Sequence, residues 1–339
     1  MMVSQNSTTN CGINDRARAI SISTLYFLLF PPALLLNVLV AWISTRLKAK
    51  TTFMVYLKHL VAADLLMTLT FPIRAANELP GASDELQAFT CRFGHVFFYL
   101  AMNMSIILMG LISMDRFFKI VQPGGLLLCR SICLSNVLAI SSWLLVIGSN
   151  TLPIIITTNQ DHRNSTKKEF CMRMKSEIGL CWHKVVIMFA KVLFWTVCIV
   201  VMLCYICITK KVMESYRRSR SNNDQTNRSA KFRVFLILLV FLICYVPYHA
   251  VRIPYTNYQV KSSQDNCIRP ILKVVKDVTL WLSATNVCLD PLIYFFLCKS
   301  FRKRFLEICQ RSSIFKSFGK SAEPYQSSDT SLEMNHHSS

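Results

Sequence analysis

SICLSNVLAISSWLLVIGSNTLPIIITTNQ, residues 131–160, holds no charged side chain. At about 1.5 Å per helical residue, such a run is longer than the ~30 Å of hydrocarbon in a bilayer. Apolar helices of soluble cores are shorter than this, so the stretch reads as a membrane span. Runs of similar length recur on either side of it, at 20–45, 53–75, 90–114, 185–209, 234–256 and 274–298. With 132–156 they make seven spans, which places the two termini on opposite sides of the membrane. The second, fifth and seventh carry ionisable residues within them, notably Asp64, Lys191 and Asp290. The expected fold is an all-α membrane protein, a seven-transmembrane helix bundle with a short amphipathic membrane-surface helix after span seven.

Composition agrees with that class. Apolar residues make up 53% of the 339, yet the formal charge is +20. Basic loops between apolar spans account for both numbers. The segments after spans one, three, five and seven hold Arg46, Lys48, Lys50, Arg116, Lys119, Arg130, Lys210, Lys211, Arg217, Arg218, Lys299, Arg302, Lys303 and Arg304, among others. The positive-inside rule puts those segments in the cytoplasm and the N-terminus outside. Asn6-Ser7-Thr8 and Asn164-Ser165-Thr166 are glycosylation acceptors on external segments. The first 19 residues are largely polar, so span one is expected to act as an uncleaved signal anchor.

The predicted organisation is an extracellular N-terminus (1–19), the seven-span domain (20–298), the amphipathic juxtamembrane helix (299–310) and a disordered, Ser-rich cytoplasmic tail (311–339). In KSFRKRFLEICQ (299–310), Phe301, Phe305, Leu306 and Cys309 share one helical face and cations take the other, as in helices that lie on the inner leaflet. Cys309 is a palmitoylation candidate. Of the 14 cysteines, Cys11, Cys91, Cys171 and Cys267 lie in external positions where disulfides form, with Cys181 left over.

The outer end of span six poses a chemical question. His249, Arg252 and Thr256 fall at helical spacings of three and four, with Gln259 a turn further out and Tyr255 at the border. Span seven contributes Lys273 and Lys276; span five contributes His183 and, deeper, Lys191. Asp277 is the nearby acid, and the ~100° helical step is expected to turn it away from Lys276. Cations from three helices would then face one outer cavity with too few carboxylates, so the ligand must bring negative charge. Phosphates fit, because guanidinium groups bind them bidentately and lysines act as point charges. The alternative is that the lysines snorkel into the headgroup region. Arg163, Lys167, Lys168, Arg173 and Lys175 of the second external loop are placed to steer anions inward.

Other motifs are spread over the spans in order: Asn37 in LLNVLVAW, Asp64 in LVAADLLM, Asp115-Arg116-Phe117 after SM, Trp143, Pro247 in CYVPYH, and Asp290-Pro291-Leu292-Ile293-Tyr294. Together they resemble the rhodopsin-like (class A) G-protein-coupled receptors over residues 20–310. FMVYLKHLVAADLLMTLTFP, KSEIGLCWHK, VPYHAVRIPYT and LWLSATNVCLDPLIYFFLCKSFR resemble more narrowly the metabotropic purinergic receptors, in the inhibitory-G-protein-coupled branch that senses ADP or UDP-sugars.

That resemblance implies a plasma-membrane receptor for an extracellular nucleotide, ADP or a UDP-sugar such as UDP-glucose, that activates an inhibitory G protein. It implies a ligand set of Arg252, Lys276, His249, Tyr255, Gln259, Tyr99, His183 and Lys191, with Tyr99 stacking on the base. It implies the disulfides Cys91–Cys171 and Cys11–Cys267. It implies a switch made of Asp115, Arg116, Tyr205, Pro247, Asp290, Pro291 and Tyr294, in which Asp115 holds Arg116 at rest. Asp64, Ser105, Asn286 and Asp290 would form an allosteric sodium site, since two adjacent carboxylates need a cation or a proton. Arrestin and a receptor kinase would meet the Ser-rich tail. Phe117, Val197 and Ile187 depart from the pattern, where tyrosine, proline and asparagine are commoner.

Other functions compete with this one. A lysophospholipid receptor of the same superfamily also takes an anionic headgroup. A transporter or channel is disfavoured by the odd span count and the lack of an internal repeat. No nucleophile–base constellation or paired zinc-ligand spacing suggests an enzyme, and no partner among nucleic acids or resident cofactors is expected.

Overall fold

The computed structural model describes residues 14–47, 51–122, 131–160, 170–218, 224–260, 268–297 and 299–311. The elements are α1 (Asp15–Arg46), α2 (Thr52–Glu78), α3 (Asp84–Phe89), α4 (His95–Ile120), α5 (Ile132–Val146), α6 (Leu152–Thr157), α7 (Phe170–Arg173), α8 (Glu177–Arg218), α9 (Asp224–Val260), α10 (Ile268–Ala284), α11 (Asn286–Leu297) and α12 (Lys299–Arg311). A π-helical turn at Thr90–Gly94 joins α3 to α4, and another at Ile147–Thr151 joins α5 to α6. Polar side chains start several of these helices. Asn14, Thr51, Ser83 and Ser131 each accept from a backbone amide in the first turn, satisfying donors that have no helical partner.

Among the described residues, six helices are long and apolar enough to cross a bilayer. The seventh crossing is divided. Thr285 interrupts it, with its amide bonded to the carbonyls of Trp281 (3.1 Å) and Leu282 (3.2 Å). Neither half reaches spanning length, but α10 and α11 both pack against α1 and α9 and continue one crossing. The helices also overrun the expected spans: the fifth begins at Glu177, in the second external loop, and continues to Arg218. Apolarity ends where the hydrocarbon ends, whereas a helix continues until its backbone bonds find another partner.

Neighbour packing runs α1–α2–α4–α8–α9–α10/α11 and back to α1, with α5 outside against α2 and α4. Burial is inverted relative to a soluble protein. Leu28, Leu35 and Leu144 are 68%, 72% and 67% exposed, while Asp64 and Asp290 are wholly buried. Lipid takes the apolar exterior, and the polar groups face the bundle interior. Asn37 shows why they are tolerated there: its amide donates to the carbonyls of Ala33 and Val287, joining α1 to α11. The terminal helix α12 lies against α1 and α11, with Phe301 buried and Phe305 edge-on to Phe295.

One close approach sets the outer loop. A Cβ on Gly179 would lie 2.8 Å from Thr157 Cβ and 3.0 Å from its carbonyl oxygen. Gly179→Ala is therefore expected to push α8 off α6 and cost about 1–3 kcal/mol, as overpacking does. Gly148→Ala, with nothing within 4 Å of its added carbon, should cost little. Thermal midpoints of the two purified variants check this; equal midpoints would contradict it.

Candidate functional site

The second external loop is pinned to the outer end of the bundle. Cys91, in the turn before α4, is bonded to Cys171 in α7, and Phe170 and Met174 bury themselves beside that bond. Thr158 and Lys175 pair as an antiparallel bridge, with Gln160 N donating to Met174 O (2.9 Å) and Ser176 N to Thr157 O (3.0 Å). This folding turns Lys175 inward, leaving it 9% exposed. Burial lowers its ammonium to about 8. The sequence suggests a solvated steering surface for Lys175; the loop instead tucks it under itself.

Arg252, on α9, sits among aromatic rings at the outer end of the bundle. Its guanidinium lies 5.5 Å from the Tyr99 ring and 5.7 Å from the Tyr248 ring, and the Tyr248 hydroxyl donates to that of Tyr99 (3.3 Å). No carboxylate pairs with Arg252 among the described residues. Opposite, Lys276 sits 4.9 Å from the Tyr255 ring.

The expectation for Asp277 is overturned. Its Oδ1 lies 2.9 Å from Lys276 Nζ, and its Oδ2 2.6 Å from Arg18 Nη1. The 100° step governs where a Cβ points, and a lysine has enough methylenes to fold back onto the next residue. Arg18 also approaches Glu78 (3.8 Å) and Asp15 (3.5 Å). Even so, Arg18, Arg74, Lys175, Arg252, Lys273 and Lys276 outnumber Asp15, Glu78 and Asp277.

The other expected ligand residues divide. Tyr99 and Tyr255 border the cations described above. His183 is half-buried, with a buried Nδ1 that has no hydrogen-bond partner. His249 turns toward α8: its ring stacks on Phe194 at 3.8 Å and 7°, and it is 1% exposed. It is a wedge between helices, because its rotation away from the Arg252 face brings it against the aromatic side of α8. Lys191 donates to Thr256 Oγ1 (2.8 Å) at the junction of α8 and α9, one turn along α9 from Arg252. The Gln259 side chain, Cys11, Cys267, Asn6, Asn164, Cys309 and the Tyr294 side chain lie outside the described residues.

Sequence reasoning missed Arg74. It is 7% exposed, with Nη1 3.0 Å from His95 Nδ1 and its guanidinium 4.3 Å from the Phe98 ring and 5.2 Å from that of Tyr26. Its Nε is buried without a partner. An arginine at the outer end of an apolar span, in FPIRAANE, was the available signal.

Deeper in the bundle, Asp64, Ser105, Asn286 and Asp290 are each at most 1% exposed. Asn286 Nδ2 donates to Asp290 Oδ2 (2.6 Å), and the carboxyl of Asp64 adjoins that of Asp290. Asp290 Oδ1, Asn286 Oδ1 and Ser105 Oγ are buried without partners. Hard oxygen donors around paired carboxylates suit a small cation such as sodium.

At the inner end, Asp115 accepts from the Thr52 hydroxyl and from Lys119 Nζ (2.9 Å), and Lys119 also bonds Thr52 Oγ1 (2.6 Å). Arg116 lies over the Phe53 ring at 4.2 Å, and the Tyr205 ring is buried nearby on α8. Pro247 interrupts the backbone bonding of α9 below the cavity.

Residues 36–294 match the seven-transmembrane receptor family of rhodopsin type. Purinoceptor 13 of Homo sapiens is 36% identical over 299 residues, covering 88% of this chain and 84% of that protein. Purinoceptor 14 of Bos taurus is 40% identical over 282 residues, 83% of each chain. G-protein coupled receptor 87 of Mus musculus is 37% identical over 301 residues, 89% of this chain and 83% of that protein.

Proposed function

Because the chain belongs to the rhodopsin family of seven-transmembrane receptors, we propose that it is a cell-surface receptor for an extracellular nucleotide, ADP or a UDP-sugar, that activates an inhibitory G protein. The observation that carries this reading is the excess of cations among aromatic rings at the outer end of the bundle, with Arg252 lacking a carboxylate partner among the described residues. Two of the relatives are purinoceptors by name, which points to the same ligand class.

In this reading the phosphates lie between Arg252 of α9 and Lys276 of α10. Lys276 can leave Asp277 for a phosphate without stranding a buried carboxylate, since Arg18 keeps its 2.6 Å contact with Asp277. Tyr99 and Tyr255 face the base and sugar, and Lys175 and Arg74 extend the positive field over the cavity's other half. Drawing α9 and α10 toward one anion biases α9 about Pro247, and its inner end controls access to Arg116. Moving such an equilibrium from mostly off to mostly on takes about 5.5 kcal/mol of differential affinity. A few charge-assisted bonds of about 1.5–3 kcal/mol each supply that when they form only in the active state. The N-terminus is extracellular in this account, and arrestin and a receptor kinase meet the cytoplasmic tail.

Titrating ADP, UDP and UDP-glucose against suppression of cyclic AMP in cells tests the proposal. One of them should act at micromolar concentration or below and lose its effect when inhibitory G proteins are inactivated. Silence to all three would contradict it.

Two further outcomes are expected. The Lys175 ammonium titrates near 8, so it is charged below that pH and neutral above it. Affinity for a UDP-sugar, whose phosphates do not titrate there, should fall as pH rises from about 7 to about 9, and Lys175→Arg should remove most of the fall. Sodium, if held by Asp64, Ser105, Asn286 and Asp290, supplies the charge that the two carboxylates lack. Asp290→Asn should then abolish the dependence of agonist affinity on sodium against a choline control; unchanged dependence would remove Asp290 from that role.

A further inference from the structure

Lys191 lies where α8 turns from protein to lipid. On one flank of it Met188 and Val192 are 58% and 61% exposed; on the other, Ala190 and Phe194 are 3% and 0% exposed. The side chain thus runs along the outer seam between α8 and α9. There its ammonium donates to Thr256 Oγ1 at 2.8 Å, and Thr256 in turn donates to the Arg252 carbonyl at 2.9 Å. Thr256 is neutral. No carboxylate pairs with Lys191 among the described residues, and the charge that acts on it is a second cation, Arg252. The surface around the seam is apolar: Val185, Ile253 and Ile199 are 51%, 38% and 58% exposed.

A full positive charge on a hydrocarbon-facing edge is tolerated when an anion meets it there. We propose that the α8–α9 seam binds the phosphate headgroup of an anionic membrane lipid on Lys191 Nζ, which Thr256 Oγ1 holds in place by accepting one of its protons, with its acyl chain along Met188, Val192 and Ile199. The headgroup supplies the missing charge, and the tail covers apolar surface that faces the bilayer in any case. The source is the membrane, because Met188 and Val192, on the exposed flank of Lys191, open toward acyl chains. The inference rests on the helix bundle alone and not on the nucleotide reading. It gives the lipid a route of influence, since Thr256 stands one turn from Arg252 on the same helix.

Native mass spectrometry of the purified full-length receptor in neutral detergent tests it, with lysophosphatidic acid as the probe. Wild type should retain this lipid about tenfold better than lysophosphatidylcholine, the effect of one charge-assisted contact. Lys191→Gln should lose the preference, Thr256→Val should weaken it, and Lys191→Arg should keep it, which separates loss of charge from misfolding. Lys184→Gln, which removes an exposed lysine two turns outward on α8, should also keep it. Equal retention by wild type and Lys191→Gln would overturn the site. So would equal loss in Lys184→Gln, which would indicate diffuse surface attraction. Competition by glycerol 3-phosphate at the lipid's own concentration would overturn the membrane source in favour of a soluble anion, and displacement by ADP would overturn it by placing Lys191 in the nucleotide cavity.

Discussion

Arg252→Ala is expected to lower nucleotide potency at least about a hundredfold while leaving the amount of receptor at the cell surface unchanged. The guanidinium fork can make two charge-assisted bonds to phosphate, each worth about 1.5–3 kcal/mol, and every 1.4 kcal/mol is a factor of about ten. Folding should not suffer. Arg252 ends against the faces of Tyr99 and Tyr248 and holds no ion pair among the described residues, so truncation strands no buried carboxylate. Removing it also relieves repulsion with the neighbouring cations. Arg252→Lys should recover only part of the potency, since an ammonium is a point donor and cannot match two phosphate oxygens at once. A concentration–response curve for Arg252→Ala that overlies wild type, at equal surface expression, would refute the assignment.

Cys91→Ser should abolish surface delivery, the largest expected effect on folding. The bond to Cys171 anchors α7 and, through the short bridge between Thr158 and Lys175, the external loop over the cavity. It closes a sequence separation of 80 residues, and loops of that size lose several kcal/mol of stabilisation, about 4, when opened. The partner thiol would then be exposed in an oxidising compartment, free to pair wrongly. Cys171→Ser should match it, and the double variant should be no worse than either. Flow cytometry of an N-terminal tag measures this; robust delivery of Cys91→Ser would show that the loop seats itself without the bond.

The spans were legible because lipid imposes a length and an apolarity that composition cannot hide, as in residues 131–160. The division of span seven at Thr285 was not, since it arises from backbone bonding and leaves no mark on hydropathy. Arg252 and Lys276 were recognisable as cations near the outer face of apolar helices, but their partners were not. Asp277 lies beside Lys276 in sequence, and only side-chain length and the approach of Arg18 from α1 decide that it bridges both. His249 follows the right spacing for the cavity face, yet Phe194 from α8 draws it into a stack that no local pattern encodes. Lys175 and Arg74 stand in the sequence as cations near the outer face, but their burial depends on a loop and a helix packing above them, which hydropathy does not encode. Thr52 beside Asp115 likewise requires knowing that the start of α2 meets the end of α4, whereas Lys119 stands one turn from Asp115 on the same helix. Periodicity reports which elements form and which side faces lipid, while contacts between elements distant in sequence decide which charges remain uncompensated.

The most direct measurement is equilibrium binding of radiolabelled ADP or UDP-glucose to the purified receptor, competed by the matching diphosphate, monophosphate and nucleoside at two salt concentrations. An outer cavity with surplus cations predicts that affinity falls at each loss of phosphate, that the nucleoside competes at least about a hundredfold more weakly, and that added salt weakens the diphosphate most. Equal competition by nucleoside and diphosphate, or no effect of salt, would contradict an anion-seeking cavity.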